Sequence, residues 1–333
     1  MQAKKKTNSF PQTLHDAIKY FADEDHALGF MKSIRWTDGI VKCPCCGSTD
    51  VSFLSTRRIW KCKEAHKKQQ FSVKVGTVLE DSPIGLDKWL CGFWLIANAK
   101  NGISSYELHR SIGVTQKTAW FMLHRIRLAM QDGSIEKFSG RVEADETYIG
   151  AKARNLYKNK KTGKTGMVGK TAVLGLLERE AGDKPSRVRC KVMKRVRTYD
   201  LDPTVRANVE KGSEIITDKF SSYYRLPDEY VHNVIDHAIS YAEGHVRVNC
   251  LENFWSLLKR ALKGTYVNVE PFHLFRYLDE QAFRFNERKD NDKGRFMKAI
   301  ASFAGKRLMY SNLIGQKGGG SLPPETTRTW QTA

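Results

Sequence analysis

Hydrophobic and polar positions divide the chain into blocks of different period. Phe10, Leu14, Ile18 and Phe21 recur at helical spacing, so residues 8–35 read as short helices with one apolar face. Residues 51–80 change to short alternating runs, VSFLS, RRIWKC and QQFSVKVGTVL, which predict strands. Helical periodicity returns from Gly85 to about Met130 and stops at the polar stretch QDGSIEKFSG. Strand-like alternation then runs from Arg141 to Lys194, through RVEADETYIG, TAVLGLLERE and SRVRCKVMKR. A short helix opened by Asp202 and Pro203 follows, as a cap and first-turn pair. SEIITD and VHNVID read as two more strands. Amphipathic helices are expected over 249–261 and 271–289, and the last residues, rich in Gly, Pro and Thr, read as a tail.

Strands followed by helices, after a helical block, predict a mixed α/β (α+β) protein of several domains. The boundaries fall at residues 1–82 (helices and a small cysteine-containing module), 83–136 (helical module), 137–290 (mixed α/β domain) and 291–333 (a helix and tail). The longest apolar run, LCGFWLIANA, is about half of the roughly 18 residues a membrane span needs. The basic start MQAKKKTNSF has no apolar stretch behind it, so no secretory signal is read and a cytoplasmic location is expected.

Charge narrows the class of partner. The 333 residues carry 56 Lys+Arg against 36 Asp+Glu, a formal net charge of +20. Such an excess concentrates polyanions around the protein and predicts salt-sensitive binding to nucleic acid.

Four of the seven cysteines lie within 20 residues. CPCCG supplies Cys43-x-x-Cys46 and WKCKEAH supplies Cys62-x-x-x-His66, with 15 residues between the pairs. Two tight turns that each offer two borderline ligands are the geometry a tetrahedral Zn²⁺ needs. Gly47 lets the first turn curl. The expected ligands of this one structural ion are Cys43, Cys46, Cys62 and His66, with Cys45 a rival in the first pair. Cys91, Cys190 and Cys250 sit in apolar patterns and read as buried thiols.

Residues 101–130 read as helix, tight turn, helix. Ser104 or Ser105 can cap the first helix, Gly113 makes the turn and Thr115 caps the second. Ala119, Met122, Leu123, Ile126 and Met130 form the apolar face of the second helix. Gln116, Lys117, Thr118 and Arg125 lie at its start or off that face, where a helix-turn-helix meets bases and phosphates.

Three carboxylates close the inventory. RVEADETYIG delivers Asp145 near a strand end, SEIITDKF delivers Asp218 at another, and NCLENFW puts Glu252 in the first turn of a helix. Converging oxygens of this kind hold Mg²⁺ or Mn²⁺. Glu143 and Glu146 compete with Asp145, Asp218 also suits a helix cap, and Asn249-x-x-Glu252 also fits a capping box. The segment 150–170 carries seven Lys/Arg and no acid, so Lys158, Lys160 and Lys161 are candidate DNA contacts.

The runs CPCCG, WKCKEAHKKQQFSVKVGTVLEDS, VEADETYIG, ITDKFSSY and HVRVNCLENFWSLLKR resemble bacterial insertion-sequence transposases of the DDE type. The subgroup is the one with an N-terminal zinc ribbon and an ISXO-like catalytic domain. The resemblance spans residues 10–290 with the motifs in the family's order. It implies an RNase H-like core and two divalent metals held by Asp145, Asp218 and Glu252. His245 falls near that site and Lys259 two helical turns beyond Glu252, placed to hold a phosphate. Cys62-x-x-x-His66 departs from an all-cysteine ribbon. The implied activity is cleavage of double-stranded DNA at the element's terminal repeats, then joining of the freed 3′-OH to target DNA. A nucleoid-associated location is expected, and the need to coordinate two cuts and two joins predicts a homo-oligomer. The rival is a DNA-binding regulator whose RNase H-like domain is silent.

Overall fold

The computed structural model describes residues 10–150, 169–218, 229–235 and 249–315, and the chain separates into two compact units. The first unit gathers residues up to 130 together with 290–319; the second runs from 131 to 289. The segment expected to form a separate C-terminal piece from residue 291 therefore groups with the N-terminal half.

The first unit opens with α1 (Leu14–Phe21), capped by the Thr13 hydroxyl, and α2 (Glu24–Arg35), capped by the Asp23 carboxylate. A three-stranded antiparallel sheet follows: β1 (Val51–Leu54), β2 (Ile59–Cys62) and β3 (Gln70–Phe71). Trp60 on β2 is its core residue, in ring contact with Trp36, Phe53 and Phe71. The strand expected to continue to residue 80 ends at Phe71. From Ser72 the backbone closes on itself in turns, with Val75 N–H donating to the Ser72 carbonyl and Thr77 N–H to that of Lys74. Val73, Val78 and Leu79 are buried in those turns, so the apolar alternation reflects burial and not a ladder.

Helices α3 (Leu86–Asn98), α4 (Ser105–Ile112) and α5 (Gln116–Ala129) complete the helical block. The expected caps are present. Ser104 and Glu107 form a capping box on α4, and Gly113 turns the chain at φ 61°, a left-handed conformation that costs glycine little. Thr115 then caps α5.

The second unit is built on a five-stranded sheet. Its strands are β4 (Arg141–Ile149), β5 (Thr171–Glu178), β6 (Arg187–Met193), β7 (Glu214–Asp218) and β8 (Val231–Ile235). The spatial order is β6-β5-β4-β7-β8; β4, β5 and β6 form an antiparallel meander, while β7 and β8 run parallel to β4. Between β6 and β7 lies α6 (Thr198–Asn208). It starts four residues before Asp202, because Asp200 and Leu201 N–H already close a turn onto the Arg197 carbonyl. Pro203 is thus inside the helix instead of at its opening, and removes one intrahelical hydrogen bond.

Helices α7 (Asn249–Gly264) and α8 (Leu274–Asn286) follow β8. The sheet is covered on both faces. Val173, Leu177, Val188 and Ile216 pack with Leu251, Phe254, Trp255 and Leu278 of α7 and α8. On the opposite face Val142, Ala144, Leu174 and Ile215 pack with Leu201 and Val205 of α6. A three-stranded meander joined to two parallel strands, with helices on both faces, is the expected RNase H-like architecture. The remaining helices, α9 (Asp292–Ala301) and α10 (Tyr310–Leu313), belong to the first unit.

Candidate functional site: a zinc cluster and a carboxylate strand

Two turns build the metal cluster of the first unit. In the first, Gly47 adopts φ 77°, its N–H donates to the Cys43 carbonyl at 2.8 Å, and Cys43 N–H returns to the Ser48 carbonyl at 2.9 Å. In the second, Cys62 ends β2 and donates its N–H to the Gln69 carbonyl, and the loop between them brings His66 to Cys43. The four candidate donor atoms of Cys43, Cys46, Cys62 and His66 all lie within 4.8 Å of one another. Cys43 Sγ is 3.4 Å from His66 Nε2, and Cys46 Sγ is 3.6 Å from Cys62 Sγ. Zinc–sulfur bonds of about 2.3 Å in a tetrahedron put sulfurs about 3.8 Å apart, so the cage fits Zn²⁺. Burial pushes the Cys43 thiol up, yet the backbone amides of Cys46 and Cys45 outweigh it and hold the group below its ordinary value. Cys45 is exposed and stands outside the cluster. Four protein ligands leave no open position, so the ion is structural.

In the second unit the sheet positions the acids. Asp145 stands on β4, in direct register with Gly175 of β5. On the other side β4 pairs with β7, Glu143 opposite Ile216. Asp145 lies two residues beyond Glu143, and Asp218 two beyond Ile216, at the end of β7. Both Asp145 oxygens accept a hydrogen bond, Oδ1 from Glu146 N–H at 2.8 Å and Oδ2 from Trp255 Nε1–H at 2.9 Å. Glu252 is exposed on α7, three residues before Trp255. Lys259 is half-buried, two turns further along the same helix. These donors are oxygen atoms, the chemistry of a hard divalent cation. The Asp218 side chain, His245, Lys158, Lys160 and Lys161 lie outside the described residues.

Glu143, a competitor of Asp145 in the sequence, has a different task. It is fully buried, accepts Arg179 Nε–H at 2.7 Å and accepts Leu251 N–H at 2.9 Å. Burial raises its pKa against the pull of these partners. It ties the first turn of α7 to β4. Sequence reading missed this tie and the Trp255 donor. Two signals were available. Trp255 follows Glu252 by three residues, which puts both on neighbouring positions of one helix. Gly175 interrupts the apolar strand TAVLGLLE, and a glycine inside a strand marks a close approach. Cys250, expected buried, is exposed beside Glu143.

The helix-turn-helix residues separate. Gln116 Nε2 donates to Ser105 Oγ across the turn, Thr118 N–H completes the Thr115 cap, and Lys117 is exposed with its ammonium 4.9 Å from the Tyr310 ring centre. Arg125 is 6% exposed and donates to the Glu80 carbonyl at 2.8 Å, so it does not stand on a DNA-facing surface. Apolar turns at residues 78–80 cover the side of α5 that its sequence left open. Among the described residues no helix is long and apolar enough to cross a membrane.

Comparison with known proteins agrees with this geometry. Residues 137–286 match the ISXO2-like transposase domain, and residues 22–68 match the transposase zinc-ribbon domain. An uncharacterized protein in transposable element ISH50 of Halobacterium salinarum is 26% identical over 263 residues, 74% of this chain and 85% of that protein. An uncharacterized transposase-like protein of Haemophilus influenzae is 35% identical over 104 residues, 30% of this chain and 84% of that one. With the zinc-ribbon cage in the first unit and the covered mixed sheet in the second, the chain belongs to the ISXO2-like transposase family of insertion sequences.

Proposed function

We propose that the chain cuts DNA at the terminal repeats of its own element and joins the freed ends to target DNA. The observation that carries this reading is Asp145. Its carboxylate is held by a donor on each oxygen, on a strand paired in parallel with the one that ends in Asp218, and the helix that supplies one donor also bears Glu252. Asp145, Asp218 and Glu252 would hold two Mg²⁺ or Mn²⁺ ions, which would supply a nucleophilic oxygen at neutral pH and charge neutralisation at the leaving oxygen. A carboxylate oxygen carries two lone pairs, so a hydrogen bond to it is compatible with metal ligation. His245 serves beside these acids. Lys259 binds a phosphate next to Glu252.

In the first reaction a water oxygen bonds to phosphorus as the bond to the 3′ oxygen breaks, which leaves a 3′-OH on the element. In the second, that hydroxyl attacks a target phosphodiester and releases a target 3′-OH. Each step exchanges one P–O bond for another, with no covalent protein intermediate. Gln116, Lys117 and Thr118 meet the duplex, and Lys158, Lys160 and Lys161 follow its backbone. The net charge of +20 supports a large salt-dependent share of this binding. Coordinated cutting and joining of two ends calls for more than one copy of the chain.

The test is cleavage and strand transfer on DNA that carries the repeats flanking the gene, with Mg²⁺, beside Asp218→Asn. Nicking at the repeat boundary and joining by the parent protein, with binding alone by the variant, is the expected result. If both proteins bind equally and neither cuts with Mg²⁺ or Mn²⁺, the chain is a DNA-binding regulator and the reading fails.

A further inference from the structure

We propose that Trp255 is a positioning residue for Asp145, and that Gly175 is the gap in the sheet that admits it. The inference rests on the reading of Asp145 as a metal-holding acid. Trp255 is 4% exposed, and burial of an indole ordinarily demands some partner for its N–H. Here the partner is one oxygen of Asp145, and the Glu146 amide occupies the other. A donor at each oxygen constrains the rotation of the carboxylate plane, which sets the direction in which the group presents its lone pairs.

The indole reaches Asp145 by crossing Gly175, the residue paired with it on β5. A Cβ at Gly175 would stand 2.6 Å and 2.8 Å from Trp255 Cζ2 and Cη2, and 3.0 Å from a Leu251 methyl. Such distances are well inside van der Waals contact, so any side chain there lifts the ring off its partner. A ring needed only for its apolar surface would not require this arrangement, since a phenyl group fills a core equally well beside an alanine. The same helix is tied a second time, through Leu251 N–H to Glu143, two residues before Asp145 on β4. Glu252 lies between the two tied residues of α7. The two bonds therefore register the helix segment that bears Glu252 against alternate residues of one strand.

Partners that orient a metal ligand typically contribute about 10–100-fold to metal affinity or activity. Trp255→Phe keeps the ring in the gap and removes only the donor. Direct Mn²⁺ titration, read by the electron paramagnetic resonance of the free ion, is expected to show affinity at least about tenfold weaker. The Mg²⁺ concentration that half-saturates cleavage of repeat-end DNA should rise by a similar factor, with melting within a few degrees of the parent. Gly175→Ala should weaken Mn²⁺ binding comparably, and the double variant should be no worse than the weaker single one, since both break one bond. Asp145→Asn is the reference. If it binds Mn²⁺ as the parent does, the catalytic reading itself fails. If Asp145→Asn loses the ion while Trp255→Phe stays within twofold of the parent, Trp255 is a core residue and this inference is overturned. Loss of Mn²⁺ affinity in proportion to a large drop in melting temperature also overturns it, as general loosening of the unit.

Discussion

Phe296 measures how far the first unit depends on residues supplied after the second. It sits on α9, fully buried, with ring centres 5.0 Å from Trp94, 5.7 Å from Phe30, 5.8 Å from Phe21 and 6.4 Å from Phe10. Every one of those rings comes from the first 100 residues. Phe296→Ala leaves a cavity among rigid aromatic neighbours that cannot collapse to fill it. A buried Phe→Ala change costs about 3–5 kcal/mol. With a urea slope of about 2 kcal/mol per molar for a unit of this size, the midpoint should fall by about 2 M. Tryptophan fluorescence isolates the effect, because five of the seven tryptophans (36, 60, 89, 94 and 120) belong to the first unit. Hydrogen exchange gives the control. Amides of α3 should lose protection while those of β5 keep theirs. A midpoint shift below about 0.3 M, or equal loss of protection in both units, would refute the assignment of α9 to the first core.

Other expectations concern the metal cage, DNA and pH. Cys43→Ser should drop zinc from one ion per chain to none by elemental analysis, while Cys45→Ser keeps the ion, because Cys45 stands outside the cage. Lys117→Glu should weaken DNA binding and lower the salt slope by about one or two charges, read by anisotropy titrations at several salt concentrations. Arg125→Ala should act on stability instead, by about 1.5–3 kcal/mol for a buried charged donor to the Glu80 carbonyl, read by thermal melting. Burial lowers the pKa of His232 from its ordinary 6.5, and the imidazole is 2.9 Å from the Thr217 hydroxyl. A depressed histidine contributes stability that is present above pH 6.5 and lost as pH falls, so the second unit should melt lower at acid pH. His232→Gln should flatten that slope; an unchanged slope would assign it to other groups.

The parts legible in the sequence are those set by local chemistry. Ser104, Gly113 and Thr115 announce two helices and their turn because a hydroxyl acceptor and a left-handed glycine act on the nearest residues alone. The cysteine spacing announces a metal cage because two turns suffice to form it. What escaped depends on distant partners. Arg125 reads as a surface cation until residues 45 positions earlier fold over it. Residues 72–80 alternate like a strand, yet Val78 N–H donates to the Phe303 carbonyl, more than 200 residues away. Trp255 reads as core until Asp145, 110 residues earlier, becomes its acceptor. Pro203 misled for another reason. A proline suits the first turn of a helix, but here the helix already opens at the Arg197 carbonyl, six positions earlier, and forgoes one bond at Pro203.

Among the described residues the chain crosses between the two units after residue 130 and again after residue 289. During synthesis, therefore, the ribosome releases every strand and helix of the second unit before it releases α9. The half of the protein that begins first is finished last. Until Phe296 emerges, the aromatic rings of α1, α2 and α3 have no central partner, while the acid-bearing sheet already has all of its strands. A ribosome that stops near residue 290 releases a chain with the whole second unit and an open first core. Such a product would be a natural target for proteolysis, and full-length translation becomes a condition for a lasting transposase.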